Sequence, residues 1–141
     1  MSIVYVLVEP SAKRDGRTVD LTQLTRYGEL RNVVRTIDNP LRLRSPEQAL
    51  TRIREVLADF NPEEDYLTHV GGDGLGLFLT GAVIADMSAY YKWTRFRWLR
   101  FDRKYDQTLK RYTNDGGTYQ PVWVELGEVV TATQEPGSTH V

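Results

Sequence analysis

The stretch from Asp65 to Arg103 constrains the fold more than any other part of the chain. Asp65 to Val70 reads as a short strand, Gly71-Gly72-Asp73-Gly74-Leu75-Gly76 as a turn, and Leu77, Phe78, Leu79, Ala82, Val83, Ile84, Ala85 and Met87 follow at spacings that leave no polar face. Apolar side chains nearly all round predict a helix over Leu75 to Met87 that is buried on most sides. Trp93 to Arg103 then reads as another strand. Strand, Gly-rich turn, helix and strand make a βαβ unit, so the two strands are expected to run parallel with a right-handed crossover.

The remaining elements gather round that unit. Ile3 to Val8 is a β-branched and aromatic run stopped by Glu9-Pro10, as a buried first strand would be. Residues 9 to 28 are polar and read as a long surface loop with a turn at Lys13 to Arg17, and Leu30 to Ile37 reads as a second strand. Ser45-Pro46-Glu47-Gln48 is a helix start in which Ser45 caps, Pro46 takes the first helical position and Gln48 completes a capping box. Leu50, Ile53, Leu57 and Phe60 recur at helical spacing until Asn61-Pro62 ends the helix. Thr118 to Leu126 gives a fifth strand, placed near a sheet edge by Pro121 and reached through a long connection that includes Asn114-Asp115-Gly116-Gly117. The expectation is one α/β domain over residues 1–126, with a mixed sheet of about five strands, two main helices and one parallel βαβ unit. Residues 127–141 turn to Thr, Gln, Pro, Gly and Ser and read as a mobile tail.

At 141 residues such a domain buries enough surface to stand without staples. The absence of cysteine excludes disulfides, a thiol nucleophile and thiolate zinc sites, and fits a cytoplasmic setting. The N-terminal apolar run is short and lacks a basic leader, and Leu75 to Met87 falls short of the ~20 residues a bilayer requires, so no membrane association is expected. Charge is segregated although the net value is −1. Ten Lys/Arg against six Asp/Glu in residues 1–54 are followed by none against seven in 55–88, eight against two in 89–112, and none against four in 113–141. A basic and an acidic face can both result.

Two constellations are candidates for function. Tyr90 to Tyr105 interleaves rings with cations, the combination that base stacking and phosphate contact require. Lys92, Arg95, Arg97, Arg100, Arg103, Lys104, Lys110 and Arg111 are the candidate contacts, with Trp93 or Tyr105 as exposed rings. Strict alternation would put Leu99 and Phe101 on the face of Arg95 and Arg97, so a bulge near Trp98 is expected to restore one apolar face. The plainer reading is a core strand whose arginines pair with the acidic blocks, and a host protein is as chemically suitable a partner as nucleic acid, since Trp, Tyr and Arg dominate protein interfaces.

The second constellation is the turn itself, with His69, Gly71, Gly72, Asp73, Gly74 and Gly76 as candidate ligand-binding residues. Backbone N–H groups at the start of a helix attract anions, which allows a small-molecule or nucleotide site. Gly71-Gly72-Asp73-Gly74 resembles the GGDG turn of the diacylglycerol-kinase and NAD-kinase families. Leu75 stands where those families carry Thr, and none of their other motifs accompanies it, so a kinase is not expected. The structural alternative is a tight turn capped by Asp73, with Gly76 and Gly81 as contact points for neighbouring elements.

His69 and His140 make no recognisable catalytic set, and no metal-ligand spacing, catalytic signature or cofactor motif occurs. A non-catalytic role is therefore favoured, with self-association into a homo-oligomer as a further alternative. The order of segments, with Trp98-Leu99-Arg100-Phe101-Asp102-Arg103-Lys104 and Thr118-Tyr119-Gln120-Pro121-Val122-Trp123-Val124 near its end, resembles small proteins of tailed bacteriophages. That resemblance spans roughly residues 3–126 and implies a setting, the cytoplasm of an infected bacterium, but no catalytic residue.

Overall fold

The computed structural model describes residues 1–10, 13–14, 17–18, 21–35, 46–72 and 74–127, with backbone alone at 13, 14, 17, 18, 46, 114 and 115. The Ser45 and Asp73 caps, the expected strand end at Ile37 and the tail from residue 128 lie outside these. The elements are β1 (Ile3–Val8), β2 (Lys13–Arg14), β3 (Arg17–Thr18), α1 (Thr22–Thr25), β4 (Glu29–Val34), α2 (Pro46–Leu57), β5 (Tyr66–Thr68), α3 (Gly74–Tyr90), β6 (Arg95–Asp106) and β7 (Arg111–Glu125). Five strands form the main sheet in the order β4-β1-β5-β6-β7, while β2 and β3 pair separately. Strands β4, β1, β5 and β6 run parallel, and β7 is the antiparallel edge strand that Pro121 indicated.

Strand order decides which face each helix covers. The chain moves one way across the sheet from β1 to β4 and the other way from β4 to β5 and β5 to β6, so right-handed connections put α1 on one face and α2 with α3 on the other. The packing agrees. Leu24 of α1 joins Val4, Val6, Leu99 and Tyr119, whereas Ala49, Ile53 and Leu57 of α2 and Leu79 and Val83 of α3 join Tyr5, Leu7, Val33 and Leu67. Strand β1 is thus covered on both sides, which is why Ile3 to Val8 is apolar without alternation. Its start is held by the buried Asp65 carboxylate, which accepts from the backbone N–H groups of Ile3 at 2.9 Å and Asn61 at 2.8 Å.

Three expectations need correction. Helix α3 is not buried on most sides: Gly76, Leu79, Thr80 and Val83 face the core, but Leu75, Phe78, Gly81, Ala82 and Ala85 are exposed. Only one layer of helices lies on that face of the sheet, and among the described residues nothing covers its outer side. Gly81 accordingly contacts no neighbouring element, and a Cβ added there meets nothing within 4 Å.

The second correction concerns β6, which has no bulge at Trp98. Its register with β7 is unbroken from Arg95 to Asp102, and the shift falls between Asp102 and Lys104. Phe96 and Trp98 pack toward α2 and α3, whereas Leu99 and Phe101 pack toward α1. Each face of the strand is covered over a different part of its length, so the apolar residues change sides without any break in the pleat.

The third correction is that β6 and β7 are joined by a tight turn, not a long connection. Strand β6 runs on to Asp106, and Lys104, Tyr105 and Asp106 pair with Thr113, Tyr112 and Arg111. The Asp106 carboxylate closes the turn by accepting from the N–H groups of Thr108 at 2.8 Å and Leu109 at 2.9 Å.

Candidate functional site

The last β5–β6 pair is Leu67 with Trp98, so from Leu99 onward β6 and β7 pair only with each other. Helix α1 braces the first part of this ribbon. Gln23 donates to the Gly117 carbonyl at 3.0 Å and accepts from the Tyr119 N–H at 3.2 Å, and the Tyr27 hydroxyl donates to the Tyr119 carbonyl at 2.8 Å. Beyond Asp102 the ribbon becomes an arm, reaching about 13 Å for the strand residues Arg103 to Asp106 at the strand rise of ~3.3 Å, with the turn beyond. Residues 103 to 105 and 107 to 112 are all exposed.

The arm joins the sheet at two glycines. Opposite Arg103 alone, β7 inserts residues 114–117. Gly116 has φ +76°, a left-handed turn of the backbone that favours glycine. Gly117 is buried, and a Cβ there would stand 2.4 Å from the Phe101 ring and 2.9 Å from the Asp102 carbonyl oxygen.

The structure divides the sequence-derived candidates into two groups. Arg103, Lys104, Tyr105, Lys110 and Arg111 come together on the arm. They are joined by Tyr112, which the sequence reading missed and whose ring meets that of Tyr105 edge-on at 5.2 Å. The signal was present: Tyr105 and Tyr112 flank Asp-Gln-Thr-Leu-Lys-Arg symmetrically, as a hairpin would place a cross-strand pair. Among the described residues, none of these four cations has a carboxylate partner, and the one acid between Arg103 and Tyr112, Asp106, is engaged by the turn.

The other candidates lie elsewhere. Lys92, with φ 55°, stands in the turn before β6, and the part of that strand from Arg95 to Asp102, about 26 Å at the strand rise of ~3.3 Å, separates it from the arm. Trp93 is not an exposed ring: it is buried, with Phe60 at 5.2 Å on one side and Tyr91 stacked at 6.4 Å on the other. Arg100 pairs with Asp102 at 2.8 Å. Arg95 forms a two-pronged pair with Glu63 at 3.0 and 3.3 Å and lies 3.9 Å over the Trp123 ring. That hydrogen-bonded guanidinium holds the Glu63 carboxyl below the usual carboxylate range. Arg97 lies 4.1 Å over Tyr66, donates to its hydroxyl at 3.1 Å and also donates to the Glu64 carbonyl. Arg95 and Arg97 thus tie the approach to β5 onto β6 and β7, a structural task that engages most of their donors.

The Gly-rich turn occupies a different place. Strands β1 and β5 are neighbours whose outgoing connections leave in opposite directions, and the turn follows the C-terminal end of β5 at that switch point. Gly72, with φ +114°, passes so close to β1 that a Cβ would stand 2.6 Å from Val8. His69 is half-buried beside it, Gly71 and Gly74 flank it, and Asp73 lies outside the described residues. Gly76 does not join this group, because it is buried on the core side of α3 and its carbonyl accepts from the Thr80 hydroxyl at 2.8 Å. Among the described residues no group of His, Asp and Glu could hold a metal ion, and no helix is long and apolar enough to cross a membrane.

No curated protein and no solved structure matches the chain. A family model described as phage Pam3 gp32-like protein matches residues 2–114, from the start of β1 through the return strand of the arm. A match over most of the chain, on a domain whose strand and helix order is the one described above, makes this protein a member of the phage Pam3 gp32-like family.

Proposed function

We propose that this phage protein is a non-catalytic accessory protein that acts in the host cytoplasm and binds nucleic acid through the β6–β7 arm. The observation that carries the reading is the set of four exposed cations, Arg103, Lys104, Lys110 and Arg111, without carboxylate partners among the described residues. They stand beside two exposed tyrosine rings on a narrow ribbon. Clustered cations on a two-stranded ribbon suit the evenly spaced charges of a phosphate backbone, and ribbons of this width enter nucleic-acid grooves. A protein partner would be met by a broader surface with an apolar centre, which the arm lacks.

The test is the salt dependence of binding to a labelled random-sequence duplex and to a single strand, followed by fluorescence anisotropy. Four phosphate contacts give a slope of log K against log salt of about −3.6, equivalent to a loss of about 150-fold between 50 and 200 mM. The quadruple variant R103Q/K104Q/K110Q/R111Q should lose both the affinity and the slope. A flat salt response, or a variant that binds as the parent does, would remove the proposal.

A second reading is a small anionic ligand at Gly71, Gly72 and Gly74. It is favoured by the position of that turn at the sheet's switch point, where open α/β sheets take ligands. Nucleotides at millimolar concentration should then raise the melting temperature, and no shift would remove this reading.

A further inference from the structure

The tip of the β6–β7 arm carries side chains that the fold does not use. Asp106 pairs with Arg111, and Gln107, Thr108, Leu109 and Lys110 form the turn between them. The Asp106 carboxylate accepts from the Thr108 and Leu109 N–H groups, and Lys110 completes the turn with φ 53°, so the backbone of the tip is fixed. Among the described residues nothing partners the Gln107 amide or the Thr108 hydroxyl, and Leu109 is 54% exposed. Chain reversal needs the Asp106 carboxylate and one left-handed residue, not these three side chains.

We infer, resting on the nucleic-acid reading of the arm, that the tip enters the major groove of B-form duplex DNA and reads base edges there while the four cations hold phosphates. Two strands ~4.8 Å apart fit a groove ~12 Å wide and ~8.5 Å deep. Lys104 and Arg103 stand two and three residues behind Asp106, about 7 and 10 Å along the ribbon. With the turn on the groove floor, both come level with the phosphates at its rim.

The two faces of the ribbon then meet the two walls of the groove. Strand alternation sets Lys104 on one face and Tyr105 on the other; across the pair, Arg111 shares the face of Lys104, and Tyr112 that of Tyr105. Lys104 and Arg111 are thus diagonal neighbours about 7–8 Å apart, facing one phosphate strand. The tyrosine hydroxyls face the other, where hydroxyl contacts position a protein on the duplex.

Other nucleic acids fit this shape less well. The major groove of A-form RNA is too narrow for side chains to read. Single strands stack their bases on open rings, whereas Tyr105 and Tyr112 stand at 77° to each other with centroids 5.2 Å apart, bracing one another and leaving no slot for a base between them. In the DNA groove the Gln107 amide matches adenine N6 and N7, the Thr108 hydroxyl matches a donor or an acceptor, and the Leu109 methyls match the thymine methyl. All three side chains are neutral, so base reading is separable from phosphate attraction.

Selection from a randomised duplex DNA library should enrich a short site bound at least ~30-fold tighter than a scrambled duplex, the discrimination that two base contacts supply. Duplex DNA should displace the labelled site at a concentration about 10-fold lower than double-stranded RNA or single-stranded DNA of the same sequence. The variant Q107A/T108A/L109A keeps every charge, so its melting temperature and salt slope should be those of the parent while the discrimination disappears. Salt-dependent binding without a preferred site, RNA or single strands competing as well as duplex DNA, or a tip variant that still discriminates would each overturn the inference and leave the arm's attraction for nucleic acid standing. Absence of binding to any nucleic acid would overturn both.

Discussion

The joint between sheet and arm can be tested by adding one methyl group at Gly117. A Cβ there would stand 2.4 Å from Phe101 Cζ and 3.0 Å from Cε2, well inside the ~3.5–4.0 Å at which carbon atoms attract. The Phe101 ring cannot simply swing aside, because the Tyr119 ring lies against it at 5.1 Å. The backbone has no room either, since the Asp102 carbonyl oxygen would be 2.9 Å away on a strand held in register. Overpacking of this kind costs about 2–3 kcal/mol. For 141 residues the unfolding entropy makes 1 kcal/mol about 3 °C, so Gly117→Ala should lower the melting temperature by about 7–10 °C in calorimetry. Gly116→Ala is the internal comparison: its left-handed φ costs about 1 kcal/mol, and the nearest atom, Lys104 Cδ at 3.1 Å, belongs to a flexible side chain. If Gly117→Ala melted within 2 °C of the parent, or no lower than Gly116→Ala, the packed joint described here would be wrong.

Asp65→Ala strands two backbone N–H groups, those of Ile3 and Asn61, and should cost about 3–4 kcal/mol in urea denaturation, with Asp65→Asn retaining part of it. A cost under ~1 kcal/mol would mean that Asp65 does not anchor β1. Gly81→Ala should raise stability by roughly 0.8–1 kcal/mol, because the added methyl meets nothing within 4 Å and glycine is a poor helix former. A loss there would show the outer face of α3 to be covered. Glu63 should titrate below the usual carboxylate range in carbon-detected NMR, and Arg95→Gln should return it to that range. Since its folded value is the lowered one, the Glu63–Arg95 contribution is present above the ordinary carboxylate range and fades as pH falls through the lowered value. An unshifted Glu63 would contradict the pairing.

Much of the architecture is legible in local sequence because its causes are local. The βαβ unit follows from a short strand, glycines and an uninterrupted apolar helix, α2 begins at Pro46 after a capping pattern, and Pro121 marks an edge strand because it has no N–H to give. The arm's cations were visible too, but Arg95, Arg97 and Arg100 look the same in sequence as Arg103 and Arg111. Their roles diverge through residues far along the chain: Glu63, Glu64 and Tyr66 approach Arg95 and Arg97 from the lead-in to β5, and Trp123 does so from β7. Among the described residues nothing reaches the arm in the same way.

Residue type determines whether a surface gains by being covered, and it determined here that this chain makes an α/β domain with a doubly buried first strand and a basic, aromatic fourth strand in the main sheet. Which surface is covered depends on elements distant in sequence, and only the tertiary structure decided it. Helix α1, some 75 residues before Leu99 and Phe101, covers those two side chains and lets β6 exchange its apolar face without a bulge. Among the described residues no second helical layer reaches α3, so a helix apolar nearly all round keeps one side exposed. Burial is a pairwise property of surfaces, and a sequence states only one member of each pair.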